Sequence, residues 1–395
     1  LYQGAHLARR GDVVVVTVNY RLGVLGFLAH RAFVDETAGG ALGNWGLLDQ
    51  VAALQWVRDN VSAFGGDPDN VTIFGESAGG MSVTDLVAMP GAKGLFRRAI
   101  AQSGPPSGTS MVKAEEHTAK LLAELGLTDP HELRSVPVEA LLEAQGGVLT
   151  SRAGSGLVLV PVVDGTSLPK APIEAFVDGS CSRVPFMVGS NRDEAKLFMV
   201  QDPKNRDPDD ETVRRRIDRG LRFDDLGLDA ADLLESYRAA RSRRGAPTDP
   251  RELWSAIESD RMFRVGSLKA AAAHAQWQTE TYCYLFTWES PAMGGALGAC
   301  HAVEIPFVLG NLGLPGMDRF AGAGPAAERL SEQMMQAWLS FARTGRPSHP
   351  SIPEWPAYRA ADRATMVFGT ETHLEHAPME EERALWEPEV MVRAD

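Results

Sequence analysis

The chain has 395 residues, 44% of them hydrophobic and 23% charged, which is the composition of an ordinary water-soluble globular protein. Its net charge of −13 argues against nucleic acid and anionic membranes as partners, since both repel negative charge. No apolar run reaches the roughly 18 residues that a membrane span requires, and no signal peptide is visible at the start, so a cytoplasmic location is expected. Cys181, Cys283 and Cys300 match no metal-site or disulfide spacing and read as free thiols in a reducing compartment.

Asp12-Val-Val-Val-Val-Thr-Val-Asn19 is a β-branched run that reads as a strand buried on both faces. Leu47, Val51, Leu54 and Val57 recur at near-helical spacing and predict a helix over Gly46 to Asn60. Ser62 to Asn70 breaks the pattern with two Gly, one Pro and two Asp. Val71-Thr-Ile-Phe74 is a second buried strand, Met81 to Ala88 a helix, and Arg98 to Gln102 the next strand. Val184 to Val188 and Thr281 to Trp288 read as later strands, and Arg329 to Arg343 as an amphipathic helix stopped by Thr344-Gly345-Arg346-Pro347. Residues 202 to 264 are helical and charged, and read as a cap or insertion within a single catalytic domain spanning 1–395. Arg214-Arg215-Arg216 and Glu380-Glu381-Glu382 read as solvated faces. Strand and helix alternate, so the fold class is α/β, a mostly parallel central sheet with helices on both faces.

Gly75-Glu76-Ser77-Ala78-Gly79 fits G-x-S-x-G, the pattern of a nucleophile on a strand-to-helix turn. The pentapeptide alone is weak, but the strand before it and the helix after it supply the required setting. A serine hydroxyl must stand free at a strand end, and the glycines let the two backbones nearly touch. The helix N-terminus then aims N–H groups at developing negative charge, with Ala78 N–H the first oxyanion donor. An ordinary helix-capping serine is the plainer alternative.

Serine needs a base, usually His steered by a carboxylate, and this pattern places them in the order Ser, acid, His. That order excludes His6 and His30. His301 stands out because it follows a Gly-rich loop after a strand, whereas His117, His131, His274, His349, His373 and His376 read as surface or satisfied core residues. For the acid, Glu194 is best placed, just past the strand at Val184 to Val188. Asp193 is its nearest rival, and Asp164 another, although Asp164-Gly165 is also a turn signal. Phe198, Met199, Trp254, Met262, Phe263 and Phe307 could line an apolar pocket, but each reads equally well as core.

These residues resemble the type-B carboxylesterase family, which includes bacterial para-nitrobenzyl-type esterases and the cholinesterases. The resemblance rests on Asn19-Tyr-Arg-Leu-Gly23, Gly43-Asn-Trp-Gly-Leu-Leu-Asp-Gln50, Leu54-Gln-Trp-Val-Arg-Asp-Asn60 and Phe64-Gly-Gly-Asp-Pro68. It extends through the serine motif, Gln102-Ser-Gly104, Asn191-Arg-Asp-Glu194, His301-Ala-Val-Glu-Ile-Pro-Phe307 and Phe341-Ala-Arg-Thr-Gly345. It implies an α/β-hydrolase fold, a triad of Ser77, Glu194 and His301, and Glu194 rather than Asp193 as the acid. It also implies a buried Arg21–Asp49 ion pair, and Ser103 as a hydrogen-bond donor to the triad acid. The family carries a His-Gly-Gly-Gly or His-Gly-Gly-Ala stretch before its Asn-Tyr-Arg motif, whose N–H groups are oxyanion donors. No such stretch is present here, and the resemblance predicts a preceding segment of roughly a hundred residues. Loss of one such donor typically costs about a hundred- to a thousandfold in rate.

The expected function is therefore hydrolysis of small-molecule carboxylic esters through an acyl-enzyme, with no cofactor or metal, by a monomer or weak homo-oligomer. A catalytically silent binding module on the same fold is one alternative. The same triad acting on carbamates, amides or thioesters is another.

Overall fold

The computed structural model describes residues 1–34, 39–150, 158–201, 205, 207–220 and 229–386. Eight strands are present among them: β1 (Thr72–Glu76), β2 (Arg98–Gln102), β3 (Thr109–Ser110), β4 (Val162–Val163), β5 (Phe186–Asn191), β6 (Thr281–Phe286), β7 (Ala364–Phe368) and β8 (His373–His376). Six form one sheet in the order β1-β2-β5-β6-β7-β8, parallel throughout except for the antiparallel β7–β8 pair, while β3 and β4 make a separate two-stranded ladder. The central strands β2, β5, β6 and β7 are buried on both faces and send alternate side chains to opposite cores, whereas the edge strand β1, expected to be buried, leaves Phe74 exposed, and β8 is largely exposed. Ile73, Ala99, Ala101, Phe186, Val188 and Cys283 enter one core. Ile100, Met187, Tyr282, Tyr284, Phe286, Met366 and Phe368 enter the other.

Helices cover both faces. The segment around Gly46 to Asn60 is a helix over Trp45–Asn60, and the one after the serine motif spans Ala78–Ala88. The late amphipathic helix runs Pro325–Thr344, with Pro at its first turn and Gly345 left-handed (φ 82°) at its end, so the expected stop is observed. Between 202 and 264 lie helices Asp210–Gly220, Ala230–Arg243 and Pro250–Ser259, which share a small core of Val213, Ile217, Leu233, Tyr237, Leu253 and Ile257.

Several expectations are corrected. Residues 13–19 join no strand of the described sheet, in which β1 is an edge, and Asp12 is left-handed (φ 46°) at the end of helix Ala5–Gly11. Val13 and Val15 pack beside Leu7, Leu309 and Leu339, while Val14, Val16 and Val18 stay exposed. A β-branched run favours extended backbone, but a strand also needs a hydrogen-bonded neighbour. The Arg21–Asp49 pair forms, bidentate at 2.7 and 2.8 Å, but at the surface: the Arg21 side chain is 52% exposed. Glu380 to Glu382 is not simply a solvated face, because Glu382 is buried against Arg244 and Glu380 pairs with Arg383. Finally, β5 starts at Phe186 rather than Val184, because Pro185 has no N–H to add to the ladder.

Candidate active site

The site lies at the carboxyl ends of β1, β2 and β5, where loops leave a parallel sheet. β1 passes directly into helix Ala78–Ala88 through Ser77, whose backbone is held at φ 57° and ψ −123°. That conformation is strained for a residue with a side chain. Two bonds hold it: Ser77 N–H donates to Gln102 O at 2.9 Å, and Met81 N–H donates to Ser77 O at 2.8 Å. The turn also needs its glycines. A Cβ at Gly75 would sit 2.5 Å from the Gly79 backbone, and one at Gly104 would sit 2.2 Å from Gly80 C. Ala78 is exposed at the helix start, with its N–H in the unpaired first turn. Among the described residues, the Ser77 hydroxyl has no hydrogen-bond partner.

Glu194 follows β5 and is fully buried. It accepts hydrogen bonds from Asn191 N–H at 2.7 Å and from the Ser103 hydroxyl, and its other oxygen lies 2.6 Å from His301 Nδ1. Ser103 and Ala302 both hold positive φ, 47° and 67°, so the backbone is strained beside each partner of the acid–imidazole pair. The remaining ring nitrogen of His301, Nε2, lies 3.1 Å from Glu76 Oε1, one residue before Ser77. The structure thus brings Glu194, His301 and Ser103 into one cluster at the strand end that carries Ser77.

Asp193 has a different place. It is bound to the Arg192 guanidinium at 2.8 Å and accepts from Ala299 N–H at 2.9 Å, while its own N–H donates to Ala299 O at 2.9 Å. It therefore fastens the acid loop to the segment that carries His301. Burial opposes its charge, but Arg192 and Lys196 outweigh that and hold its carboxyl below the usual range. Asp164 closes a turn through the N–H groups of Thr166 and Leu168, both at 2.9 Å. Of the other histidines, His274 is a buried core residue held by Thr281 Oγ1 at 2.9 Å.

Two carboxyls escaped the sequence reading. Glu304, three residues past His301, is fully buried and accepts from Gln102 Nε2 at 3.0 Å and Asn191 Nδ2 at 2.7 Å. Burial and the charge on Glu194 push its pKa up. Burial and Glu304 push Glu76 up to about 8. For His301, burial works against the charged ring, but Glu194, Glu76 and Glu304 outweigh it and lift the ring to about 9. One signal was available, because Glu76 and Glu304 sit inside the two motifs that carry Ser77 and His301. Nothing in the spacing showed that they converge.

The sign of the pH dependence follows from these contacts. His301 accepts a proton only when neutral, so activity is lost as pH falls through its pKa. Glu76→Gln removes a carboxylate that favours the imidazolium. The acid limb of kcat/KM is therefore expected to move to lower pH, measured with p-nitrophenyl acetate from about pH 5 to about pH 10. A limb that stays in place would show that Glu76 does not feel the ring's charge.

Phe198 and Phe263 flank the imidazole, with ring centroids 5.1 and 4.7 Å from it, and stack on each other at 6.3 Å. Phe307 instead packs in the core against Phe286 and Trp288. The three cysteines are buried and free. Among the described residues, no three His, Cys, Asp or Glu side chains converge as metal ligands, and no helix is long and apolar enough to cross a membrane.

A parallel sheet with a strained serine between strand and helix, and an acid-bound histidine beside it, defines a serine hydrolase of the α/β-hydrolase fold. The carboxylesterase family profile matches residues 1–386, and the chain belongs to that family. It is 38% identical over 391 residues to the para-nitrobenzyl esterase of Bacillus subtilis, covering 97% of this chain and 74% of that protein. It is 32% identical over 412 residues to liver carboxylesterase 1 of Oryctolagus cuniculus, covering 98% and 70%. The crystal structure of a Geobacillus stearothermophilus carboxylesterase superimposes with a TM-score of 0.82 at 41% identity, covering 98% of this chain and 78% of that one. The protein is accordingly a serine carboxylesterase, a hydrolase of carboxylic esters.

Proposed function

We infer that Ser77, His301 and Glu194 are the catalytic triad of this esterase. Ser77 Oγ attacks the ester carbonyl as His301 Nε2 takes its proton, giving a tetrahedral oxyanion that accepts a hydrogen bond from Ala78 N–H. The imidazolium then protonates the leaving alcohol, and the acyl group remains on Ser77. His301 next takes a proton from water, which attacks the acyl carbon and releases the carboxylic acid. Glu194 holds the Nδ1 proton, fixes the tautomer and balances the imidazolium charge, while Ser103 steadies Glu194. The observation that carries this reading is the arrangement around His301: Glu194 lies 2.6 Å from one nitrogen, and the other faces the end of β1 beside Ser77. That second nitrogen lies 3.1 Å from Glu76 Oε1. A small ring movement toward Ser77 on substrate binding completes the relay, as is common for sites that tighten only in the substrate complex.

One catalytic domain, capped by the helices between Asp210 and Ser259, and a cytoplasmic location with three free buried thiols complete the reading. The test is covalent. An organophosphate added to the full-length protein should label one serine stoichiometrically, and peptide mapping should place it at Ser77. A label on any other serine overturns the assignment.

A further inference from the structure

Helix Pro250–Ser259 does not pass smoothly into helix Val265–His274; between them, Asp260–Arg264 form a single π-turn. Such a turn accommodates an extra residue, shifts the helix face, and recurs at functional sites. Here it carries Phe263, which is buried with its ring tilted 30° to the His301 imidazole. The same element reaches the acid loop: Ser259 Oγ accepts from Ala195 N–H at 3.0 Å, directly after Glu194, and Glu252 pairs with Lys196 at 2.9 Å.

Behind Phe263 the turn is pinned by a buried polar chain. Trp386 Nε1–H donates to Tyr237 OH at 2.6 Å, and Tyr237 OH donates to Asp260 Oδ2 at 2.6 Å. The Arg264 guanidinium closes on both oxygens of Asp260, and also donates to Pro378 O at 3.2 Å. All four side chains are buried. A π-turn leaves backbone groups off the α-helical register, and these side-chain bonds tie Asp260 and Arg264, its first and last residues, to Tyr237 and Pro378.

We propose that the π-turn is a positioning device for the catalytic base: Tyr237, Asp260 and Arg264 hold Phe263 against His301, its ring tilted 30° to the imidazole, and so limit how far the imidazole swings as Nε2 passes from Glu76 to Ser77. Glu194 grips Nδ1 and Glu76 lies 3.1 Å from Nε2, so the polar contacts of the ring are at its edge and none is on its faces. Phe263, with Phe198 beside it, packs on the ring and narrows its range of movement. The proposal rests on the triad reading above.

The experiment compares Phe263→Leu, Phe263→Met and Tyr237→Phe, alone and with Tyr237→Phe combined with Phe263→Leu, in the full-length enzyme. Rates are expressed per organophosphate-reactive site, which removes any unfolded fraction. Both Phe263 variants should lose about ten- to a hundredfold in kcat with KM nearly unchanged. The downfield proton resonance of His301 Nδ1–H should broaden in both. Tyr237→Phe should lose less, and nothing further when added to Phe263→Leu, because the two act through one path. An unmoved kcat and resonance in both Phe263 variants overturns the proposal, as does a Tyr237 effect that adds in full. If the organophosphate labels a serine other than Ser77, the triad reading itself falls; labelling at Ser77 with an unmoved resonance removes only the positioning role.

Discussion

Ser77→Ala is expected to lower kcat for a p-nitrophenyl ester by about a millionfold while leaving substrate affinity near its original value. No other hydroxyl can take over, because the site is defined by where the strand ends. β1 stops at Glu76, the next residue sits at φ 57° and ψ −123°, and the helix begins at Ala78. The alanine keeps a Cβ in that strained backbone, so stability should hardly change. Ser77→Gly separates the two properties. It is equally inactive, but it removes the side chain from a conformation that costs a non-glycine residue on the order of 1–3 kcal/mol. Thermal unfolding of the glycine variant should therefore occur a few degrees above that of the alanine variant. Equal melting temperatures would mean that the elbow stores no strain, and an alanine variant with appreciable turnover would remove Ser77 from the chemistry.

Glu194→Gln is expected to lower kcat by about ten-thousandfold, again with little effect on KM. The carboxylate accepts from Asn191 N–H and Ser103 OH on one oxygen and faces His301 Nδ1 with the other. In the glutamine, the amide oxygen is claimed by the two donors on the first side. The NH2 group then faces Nδ1 and forces it to accept, which puts the ring proton on Nε2. That is the wrong tautomer to take a proton from Ser77. The imidazolium also loses the strongest of the charges that lift its pKa to about 9. Pre-steady-state kinetics distinguishes this effect from misfolding: acylation itself should slow while the titre of folded enzyme stays constant. A loss below tenfold would mean that Glu304 or Glu76 can serve as the orienting acid.

Much of this site was legible in the sequence because it rests on local rules. The strand before Ser77 is a β-branched run, the glycines around it are required by backbone contacts under 3 Å, and the order of acid and base follows chain direction. Glu194 could be separated from Asp193 only through family resemblance. The structure supplies the physical difference, since Asp193 is occupied by Arg192 and Ala299. What stayed hidden depends on distant partners. The valines of residues 12–19 promised a paired strand, but pairing is a property of a neighbour. The pairing of β7 with β6 and the Glu382–Arg244 contact join segments far apart in the chain. The π-turn at Asp260–Arg264 has no composition of its own; it is a register shift visible only once Tyr237, Arg264 and Phe263 have partners.

The paired bonds between Asp193 and Ala299 have a consequence for how such an enzyme diversifies. The chain leaves the site at Asp193, makes an excursion of about a hundred residues, and returns to be fastened at the point of departure. The separation of Glu194 and His301 is therefore fixed at the base of the excursion, and only its inner parts, strand β6, Ser259 and Phe263, reach back to the site. Helix Asp210–Gly220, which packs through Val213 and Ile217 on its neighbouring helices, can then be lengthened or reshaped for new substrates, while the acid and the base keep their separation. This one clasp lets the outer part of the molecule evolve quickly while its chemistry stands still.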